Sequence, residues 1–365
     1  MMMKDHKTLK TKELFAMMTI FVGMKLADTT PSMLAQKASN AFWIVPLVSF
    51  LVIMPSFFLL IYLLKKYDNK NLIGLLEEIL GTHMGKIIGF LIFITSFFSL
   101  TLDSRNYVEQ IKLLYFPESP TAIIYFTFFI VVFFCAKKGF EVIGYTSWIG
   151  LPLIKFAMLL LALLILDQAV LQRIFPIFGQ GLDNIISEGV KKASIFSELF
   201  LFTIAYTALK DTKSFRKGSH LASIVVTLEI ISYFLLYTLI FDYKSIDKVA
   251  FPFHDITQYV DFGEFFTNVE TFFMVFWLLA AFMRFIIFLY LITWIFGSIF
   301  NIKEFEPLLL PFAFFTIIIG ILPDNSIVNE LVLRDPLLNY MTPLFIAFPL
   351  ILWLVALFKG DLKKT

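Results

Sequence analysis

Residues 20–31 of this chain read IFVGMKLADTTP, and they interrupt an apolar run where a membrane helix is expected to be uniformly apolar. The interruption contains Gly23, Lys25, Asp28 and Pro31. A helix broken at membrane depth is tolerated only where its freed backbone groups face protein, a ligand or a water-filled cavity. Discontinuous helices of this kind build the central substrate sites of many secondary transporters. The stretch therefore predicts a small polar ligand held within a membrane bundle.

The composition of the whole chain is typical of a polytopic membrane protein. Hydrophobic residues make up 59% of its 365 positions, and Phe alone supplies 46, well beyond the apolar share of a soluble domain. Because the segments between apolar runs are too short for an independent core, we predict a single all-α transmembrane domain over residues 1–365. Runs of about 20 predominantly apolar residues predict about ten transmembrane helices, near residues 14–36, 42–64, 85–104, 121–136, 142–166, 194–209, 220–241, 266–299, 307–323 and 337–358.

The basic residues predict that both termini are cytoplasmic, with residues 1–13 and 359–365 as the two tails. In that orientation 18 of the 30 Lys and Arg residues lie on the cytoplasmic side and nine on the outer side, as the positive-inside rule requires. The first span is expected to act as the insertion signal, since no small-residue cleavage site precedes the second span. Residues 179–192 are expected to form a short amphipathic helix at the outer mouth.

Several classes of chemistry are not indicated by the sequence. The single cysteine, Cys135, excludes an intramolecular disulfide. The four histidines are scattered and lack metal-ligand spacing, and neither a phosphate-binding loop nor a serine hydrolase elbow is present. We therefore predict no enzymatic activity, no cofactor, no metal site and no nucleic-acid partner.

The first span supplies the leading candidates for ligand contact, which are Gly23, Met24 and Asp28. Glycine lacks a side chain and accepts unusual dihedrals, so the backbone can approach a ligand closely there. Pro31 is placed where a second half-helix begins, and exposed amides at such a start attract a carboxylate. The alternative is a proline-kinked helix near the outer interface, with Lys25 and Asp28 as a local ion pair. Two charges and a proline within seven positions are costly in lipid, which favours the ligand site.

Two further charged residues are candidates for proton coupling or gating. Glu198, near the outer end of the sixth span, is either a ligand contact or gate, or an interfacial residue near Lys191 and Lys192. Lys155, three residues after Pro152 in the fifth span, either snorkels to the interface or faces the interior with a partner, where desolvation makes proton exchange feasible.

Other charged residues within the apolar runs are harder to assign. Glu270 and Arg284 share a face of the eighth span but lie too far apart to pair. We expect Glu270 near the outer membrane boundary, and Arg284 bonded to interior carbonyls or to a cytoplasmic headgroup. The Asp103–Arg105 pair that ends the third span is expected to be interfacial. Glu229 in the seventh span is left without a role.

The order of these elements resembles the spore germinant-receptor B-subunit family, also called endospore germination permeases. This family is a branch of the amino acid/polyamine/organocation transporter superfamily. The resemblance implies a LeuT-type fold, an inverted repeat with broken first and sixth helices. Its motifs are spread over essentially the whole chain: IFVG at 20–23 with Pro31, AFWI at 41–44, NLIGLLEEILG at 71–81, Pro152, Ser197–Glu198, and NVETFF at 268–273 leading to Trp277.

The resemblance also implies a ligand position and partners. A nutrient, expected to be an amino acid, would bind between the broken spans, its carboxylate near Gly23 and its amine near the carbonyls around Thr203, Ala205 and Tyr206. Lys155 would lie where a fifth-span lysine replaces sodium in sodium-independent relatives. The implied partners are an A-type membrane subunit and a C-type lipoprotein subunit, in the inner membrane of a bacterial spore.

The sequence departs from the family pattern at both broken spans. Met24, Lys25 and Asp28 fill a first-span break that is glycine-rich in the family, and the sixth span lacks a proline near Tyr206. Three functions therefore remain open. The first is a nutrient sensor that triggers germination, the second is a proton-coupled amino-acid permease, and the third, less favoured, is a structural scaffold. Sugars and nucleosides also remain open as ligands.

Overall fold

The computed structural model describes residues 9–67, 70–242, 245–260 and 269–363. These residues are almost entirely helical, and no β-strand is found among them. An isolated parallel pairing joins Leu9 to Leu209, and the amide of Lys210 donates to the Leu9 carbonyl at 3.0 Å. The start of the first span is thereby held against the end of the sixth.

Parts of three sequence predictions lie outside the described residues. They are residues 1–8 of the predicted amino-terminal tail, residues 266–268 at the start of the predicted eighth span, and residues 364–365 of the predicted carboxy-terminal tail. Asn268, the first residue of the NVETFF motif, belongs to the second of these segments.

Most of the α-helices overlap a predicted apolar run, and three short ones lie between runs. In chain order they are α1 (Thr11–Gly23), α2 (Thr30–Ala38), α3 (Val45–Lys66), α4 (Leu72–Leu80), α5 (Thr82–Tyr115), α6 (Thr121–Ala136), α7 (Phe140–Leu164), α8 (Leu182–Lys191), α9 (Glu198–Leu201), α10 (Thr212–Ile240), α11 (Pro252–Thr257), α12 (Val269–Ile299), α13 (Leu309–Ile321) and α14 (Asp335–Phe358).

The first span is broken where the sequence predicted it. Helix α1 ends at Gly23, a single 3-10 turn covers Met24–Leu26, and α2 starts at Thr30 with Pro31 in its first turn. Proline is suited to that position because its missing N–H would have no helical partner there. Helix α1 packs against α7, α10 and α12, so the break lies inside the bundle.

The sixth span is also broken, although it contains no proline. A 3-10 turn at Ala193–Phe196 precedes the four-residue helix α9, and a second 3-10 stretch follows at Phe202–Ala208. Short 3-10 runs are common at helix ends and at hinges. The predicted pair of broken helices is therefore confirmed.

Six helical runs in the described part of the chain are long and apolar enough to cross a membrane. Three shorter apolar helices coincide with the predicted fourth, sixth and ninth spans. The predicted second span is part of a continuous 37-residue run that begins with α2. Length and composition therefore identify a multi-pass membrane protein, while the count of ten spans stays a prediction.

The amphipathic helix expected within residues 179–192 is present as α8. It packs against α3, where Ser49 donates to the carbonyl of Gly189 at 2.9 Å. A β-carbon at Gly189 would lie 2.4 Å from Val48, so the close approach of the two helices requires glycine there.

Candidate functional site

The backbone carbonyls freed by the break in the first span are bonded by side chains from three other helices. Broken backbone at membrane depth must be satisfied within the protein or by a ligand or water. The break is therefore supported by the chain itself. The bonds run from Arg284 to the carbonyl of Phe21, from the Tyr107 hydroxyl to Met24 at 3.2 Å, and from the Tyr237 hydroxyl to Leu26 at 2.8 Å.

Asp103 of α5 lies at the centre of a buried ion network. Its carboxylate accepts from Lys25 at 3.1 Å, from Arg284 at 2.5 Å and from Arg334 at 2.7 Å. Only 2% of its surface is exposed. The predicted interfacial position of Asp103 is therefore wrong. Its neighbour Arg105 is also buried and pairs with Glu109 one helical turn later, at 3.3 Å.

Glu198, at the start of α9, belongs to the same network. Both of its oxygens are held by Arg284, at 2.6 and 2.9 Å, and Lys25 lies 3.0 Å away. The alternative of an interfacial Glu198 near two lysines is wrong, because Lys191 pairs with Glu188 and Lys192 with Asp335 instead. The prediction that Arg284 bonds interior carbonyls is confirmed, and its two carboxylate partners are new.

Asp28 faces Arg334 rather than Lys25. Arg334 donates to its Oδ2 at 3.1 Å, and the Thr30 amide donates to Oδ1 at 2.7 Å. The alternative of a local pair between Lys25 and Asp28 is therefore wrong. The amide at the start of α2, where the sequence predicted a ligand carboxylate, already bonds the carboxylate of Asp28.

Arg334 and Glu330 complete the network, and sequence reasoning missed both. They lie 2.7 Å apart within a π-helical stretch, Val328–Arg334, that leads into α14. The second oxygen of Glu330 accepts from Asn106 at 2.5 Å and from Thr29 at 2.9 Å. The available signal was two opposite charges one helical turn apart, directly before the tenth apolar run. Arg334 is one of the nine basic residues that the sequence predicted on the outer side, whereas the structure buries it.

A separate cavity of about 30 Å³ lies beside the break. Gly23 and Met24 line it, as predicted for ligand contacts, and the far wall is aromatic, with Trp277 of α12 and Phe253 of α11. Two of its lining residues carry buried polar atoms without a hydrogen-bond partner among the described residues, Thr19 Oγ1 and Trp277 Nε1. Buried polar groups are normally paired, so these two atoms are candidates for bonding a ligand or water.

Lys155 lies at the edge of this cavity and pairs with Glu229, at 2.5 Å. Both side chains are partly exposed, 27% and 21%, so Lys155 has the interior partner that one alternative required. Glu229, to which the sequence analysis gave no role, is the ion-pair partner of Lys155. A β-carbon at Gly23 would lie 3.7 to 3.8 Å from the charged atoms of this pair.

Gly23 itself has ordinary helical dihedrals, φ −59° and ψ −26°. The predicted use of unusual dihedrals at this position is therefore wrong. Its lack of a side chain is the feature that matters, because it leaves room beside Lys155 and Glu229.

The residues predicted on the sixth span are buried, but they do not line this cavity. The Thr203 hydroxyl bonds the Phe200 carbonyl at 2.5 Å, and the Tyr206 hydroxyl bonds Thr212 at 2.8 Å. Ala205 is fully buried. The structure brings Gly23, Met24 and Lys155 together, whereas Asp28 and Glu198 belong to the ion network and Thr203, Ala205 and Tyr206 lie elsewhere. A ligand role for Asp28 and Glu198, and for the three residues of the sixth span, stays a prediction.

His254 lies on α11, next to Phe253 in the cavity wall. Its Nδ1 is 3.1 Å from the Tyr115 hydroxyl, and its ring packs edge-on against Trp277. Burial lowers the pKa of His254 to about 4, because the interior disfavours the charged imidazolium. Desolvation likewise lowers the pKa of Lys192, in the loop after α8.

Glu270 is exposed at the start of α12, in line with the expected boundary position. Within the described ranges, no group of three or more His, Cys, Asp or Glu residues is arranged to hold a metal ion.

The fold is similar to those of two solved transporters. One is an outward-open, substrate-bound sodium-coupled sialic acid symporter, with a TM-score of 0.62 and 12% identity, covering 93% of this chain and 78% of the symporter. The other is the nucleobase-cation-symport-1 transporter Mhp1, closed with bromovinylhydantoin bound, with a TM-score of 0.61 and 15% identity, covering 93% of this chain and 75% of Mhp1. The molecule is thus a multi-pass membrane protein with the LeuT-type transporter fold.

Sequence comparison identifies the family to which the chain belongs. The chain belongs to the spore germination protein family, whose profile it matches over residues 8–327. A relative, spore germination protein KB of Bacillus subtilis (strain 168), is 21% identical over 368 aligned residues, which cover 99% of this chain and 97% of the relative. The resemblance inferred from the sequence is confirmed.

Proposed function

We propose that this protein is the nutrient-sensing subunit of a bacterial spore germinant receptor, in the inner membrane of the spore, and that an amino acid is its ligand. The family membership and the transporter-type fold support this function. The chain works as a receptor subunit without chemical catalysis, together with an A-type membrane subunit and a C-type lipoprotein subunit.

The cavity beside the broken first span is the observation that carries the proposal. Its lining residues are mostly aromatic and aliphatic, and two of them carry buried polar atoms without a hydrogen-bond partner in the described structure, Thr19 Oγ1 and Trp277 Nε1. Binding pockets for small molecules are mostly apolar with a few polar groups that fix orientation. An amino acid with an apolar side chain suits such a lining.

The size of the cavity suggests how binding becomes a signal. A volume of about 30 Å³ holds only about two water molecules, so an amino acid enters only when the surrounding helices move apart. A ligand that binds the rearranged state more tightly shifts the population toward it. That rearrangement is the event that the partner subunits detect.

Release of dipicolinate from spores tests the proposal. Spores with and without the gene are exposed to amino acids, sugars and nucleosides in turn, and loss of the response to one nutrient is the expected result. Loss of a sugar or nucleoside response alone would support the receptor role and overturn the amino-acid assignment. An unchanged panel in a strain lacking other germinant receptors would overturn the sensor function.

Gly23 variants test the site. Gly23→Ala is expected to respond normally, because the new β-carbon would lie 3.5 Å from Val226, an ordinary contact. Gly23→Trp fills the space beside Lys155 and is expected to abolish the response while the protein is still inserted, as membrane immunoblotting would check. Because Gly23→Trp is a large change, Ala280→Ile, at another residue that lines the cavity, is the second cavity-filling variant. A normal dose response in both inserted variants would refute the assigned cavity.

The second candidate function is a proton-coupled amino-acid permease. The Lys155–Glu229 contact at the cavity edge supports it, since it places a partly exposed ion pair beside the broken first span. This function predicts pH-dependent amino-acid uptake by the purified chain in lipid vesicles, lost in Lys155→Ala. Uptake that is unaffected by that substitution would remove the lysine mechanism.

A further inference from the structure

The buried ion network at the centre of the bundle has unequal numbers of positive and negative groups. Each of its members has at most 9% of its surface exposed. With every group ionised, three cations would face four carboxylates, which leaves a net charge of −1. The cations are Lys25, Arg284 and Arg334, and the carboxylates are Asp28, Asp103, Glu198 and Glu330.

In the part of the chain that the structure describes, the charged groups next to this network do not supply the missing positive charge. They form pairs of one cation with one carboxylate, and the nearby phenols of Tyr107 and Tyr237 donate to backbone carbonyls. The surplus therefore belongs to the network itself. The balanced pairs are Arg105–Glu109 at 3.3 Å, Lys192–Asp335 at 2.5 Å and Lys155–Glu229 at 2.5 Å.

An uncompensated charge in a membrane-protein interior is costly, and buried groups normally become neutral instead. We propose that the folded protein holds one proton in this network at neutral pH, so that one carboxyl group is a neutral acid. This inference is independent of the nutrient-sensing function and of the Lys155 mechanism.

The geometry indicates which carboxyl group carries the proton. Asp103 contacts all three cations, and Glu198 contacts both Lys25 and Arg284. By contrast, Arg334 is the only cation of the network in contact with Asp28 or with Glu330 among the described residues. The surplus negative charge lies on the Arg334 side, so the proton is on Asp28 or Glu330.

The oxygens of this network are arranged for a proton rather than for a metal ion. Those of Asp28 and Glu330 already accept from N–H or O–H groups, which leaves no cluster of free oxygens for a cation. A protonated Glu330 also has an acceptor within reach, because Thr29 Oγ1 lies 2.9 Å away. This oxygen can receive the hydrogen in place of one of the longer bonds that it accepts from Asn106 at 3.2 Å and from Arg334 at 3.3 Å.

Infrared spectroscopy of the purified full-length protein tests the proposal. At neutral pH, exposed carboxyl groups are ionised, and a buried neutral acid gives a carbonyl stretching band that a carboxylate lacks. We expect this band in the wild-type protein, with an intensity of one group per chain. Asp28→Asn and Glu330→Gln each leave three carboxylates for three cations, so each is expected to abolish the band.

Removing a cation is expected to have the opposite effect. Lys25→Met leaves two cations for four carboxylates, so two carboxyl groups should be neutral and the intensity of the carbonyl band should double. The matched control is Glu270→Gln, an exposed carboxylate at the start of α12, which should leave the band unchanged.

Two outcomes would overturn the proposal. The first is a wild-type protein without the band in any buffer, a measurement that does not depend on whether a variant folds. The second is a band that appears only when choline replaces sodium and potassium in the buffer, which would assign the position to a metal cation instead.

Discussion

Arg284 of α12 holds Glu198 through two parallel contacts, Nη1 to Oε2 at 2.9 Å and Nη2 to Oε1 at 2.6 Å. The same guanidinium donates to the carbonyl of Phe21 and to Asp103. One fully buried side chain thereby joins α12 to both broken spans. A planar guanidinium suits this position because its fork of donors can meet a carboxylate and a carbonyl at once.

Arg284→Met is therefore expected to destabilise the protein strongly. The substitution leaves Glu198 and Asp103 in the interior with one fewer cation, and breaking a buried pair in this way costs about 3–5 kcal/mol. The midpoint of thermal unfolding in detergent measures the loss. Arg216→Met, at an exposed position on α10, is the control and should stay within about 0.5 kcal/mol of the wild type. Equal midpoints for the two variants would contradict the role of Arg284.

Gly320 of α13 and Gly150 of α7 form a matched pair for a packing test. A β-carbon at Gly320 would lie 2.1 Å from the Tyr125 hydroxyl, whereas one at Gly150 would meet nothing within 4 Å. Tyr125 cannot move freely, since it is fully buried and bonded to Ser104 at 2.5 Å. Gly320→Ala is expected to destabilise the protein by about 1–3 kcal/mol.

Gly150→Ala should be neutral or stabilising by up to about 1 kcal/mol, because alanine is the better helix former. The midpoints of thermal unfolding of Gly320→Ala and Gly150→Ala, compared with that of the wild type, test both predictions. If Gly320→Ala were as stable as Gly150→Ala, the contact between α13 and Tyr125 would be looser than the structure indicates.

His254 is expected to make stability depend on pH. Its pKa is lowered by burial from 6.5 to about 4, so between these values the unfolded chain binds a proton that the folded chain does not. The contribution of the neutral His254 to the free energy of unfolding is fully present above pH 6.5. It is lost as the pH falls toward 4, which lowers the free energy of unfolding by up to about 3 kcal/mol. Acidification should therefore lower the unfolding midpoint less in His254→Asn than in the wild type.

The exposed His83 provides the control, since His83→Asn should keep the wild-type pH dependence. If acidification lowered the unfolding midpoint of the wild type no more than that of His254→Asn, His254 would already be accessible to water in the folded protein.

The sequence predicted those features whose causes are local. The break after Gly23 and the start of α2 at Thr30, with Pro31 in its first turn, follow from residues that disfavour a continuous helix there. Helix α8 follows from its own amphipathic pattern. The broken sixth span came only from resemblance to a family, because it has no proline to mark it.

The ion network could not be predicted because its partners are far apart in the chain. Asp103 and Arg334 are 231 residues apart and Glu198 and Arg284 are 86 apart, and nothing in either local sequence indicates the other. Charges near the ends of apolar runs normally reach the interface, which is why the sequence predicted Asp103 there and Arg334 in an outer segment. Their burial depends on how the long α5 and the π-helical start of the last span pack together.

Trp277 allows packing and ligand recognition to be separated. Trp277 lines the cavity, its Nε1 is buried without a hydrogen-bond partner in the described structure, and an unsatisfied buried donor costs about 1–3 kcal/mol. Trp277→Phe removes this donor along with part of the ring, so the two effects on stability oppose each other. The unfolding midpoint should change little, whereas the nutrient concentration for half-maximal dipicolinate release should rise at least tenfold, about 1.4 kcal/mol of lost binding.

Trp294→Phe is the matched control for this prediction, because Trp294 lies on the same helix but contacts Phe305 instead of the cavity. It should leave the half-maximal nutrient concentration unchanged. If Trp277→Phe lowered the midpoint and kept the nutrient response, the indole would serve packing against Tyr107 and His254 and would not recognise a ligand. If instead the half-maximal nutrient concentration rises and the unfolding midpoint is unchanged, the indole N–H must donate a hydrogen bond to a ligand, since the described part of the folded chain offers it no partner.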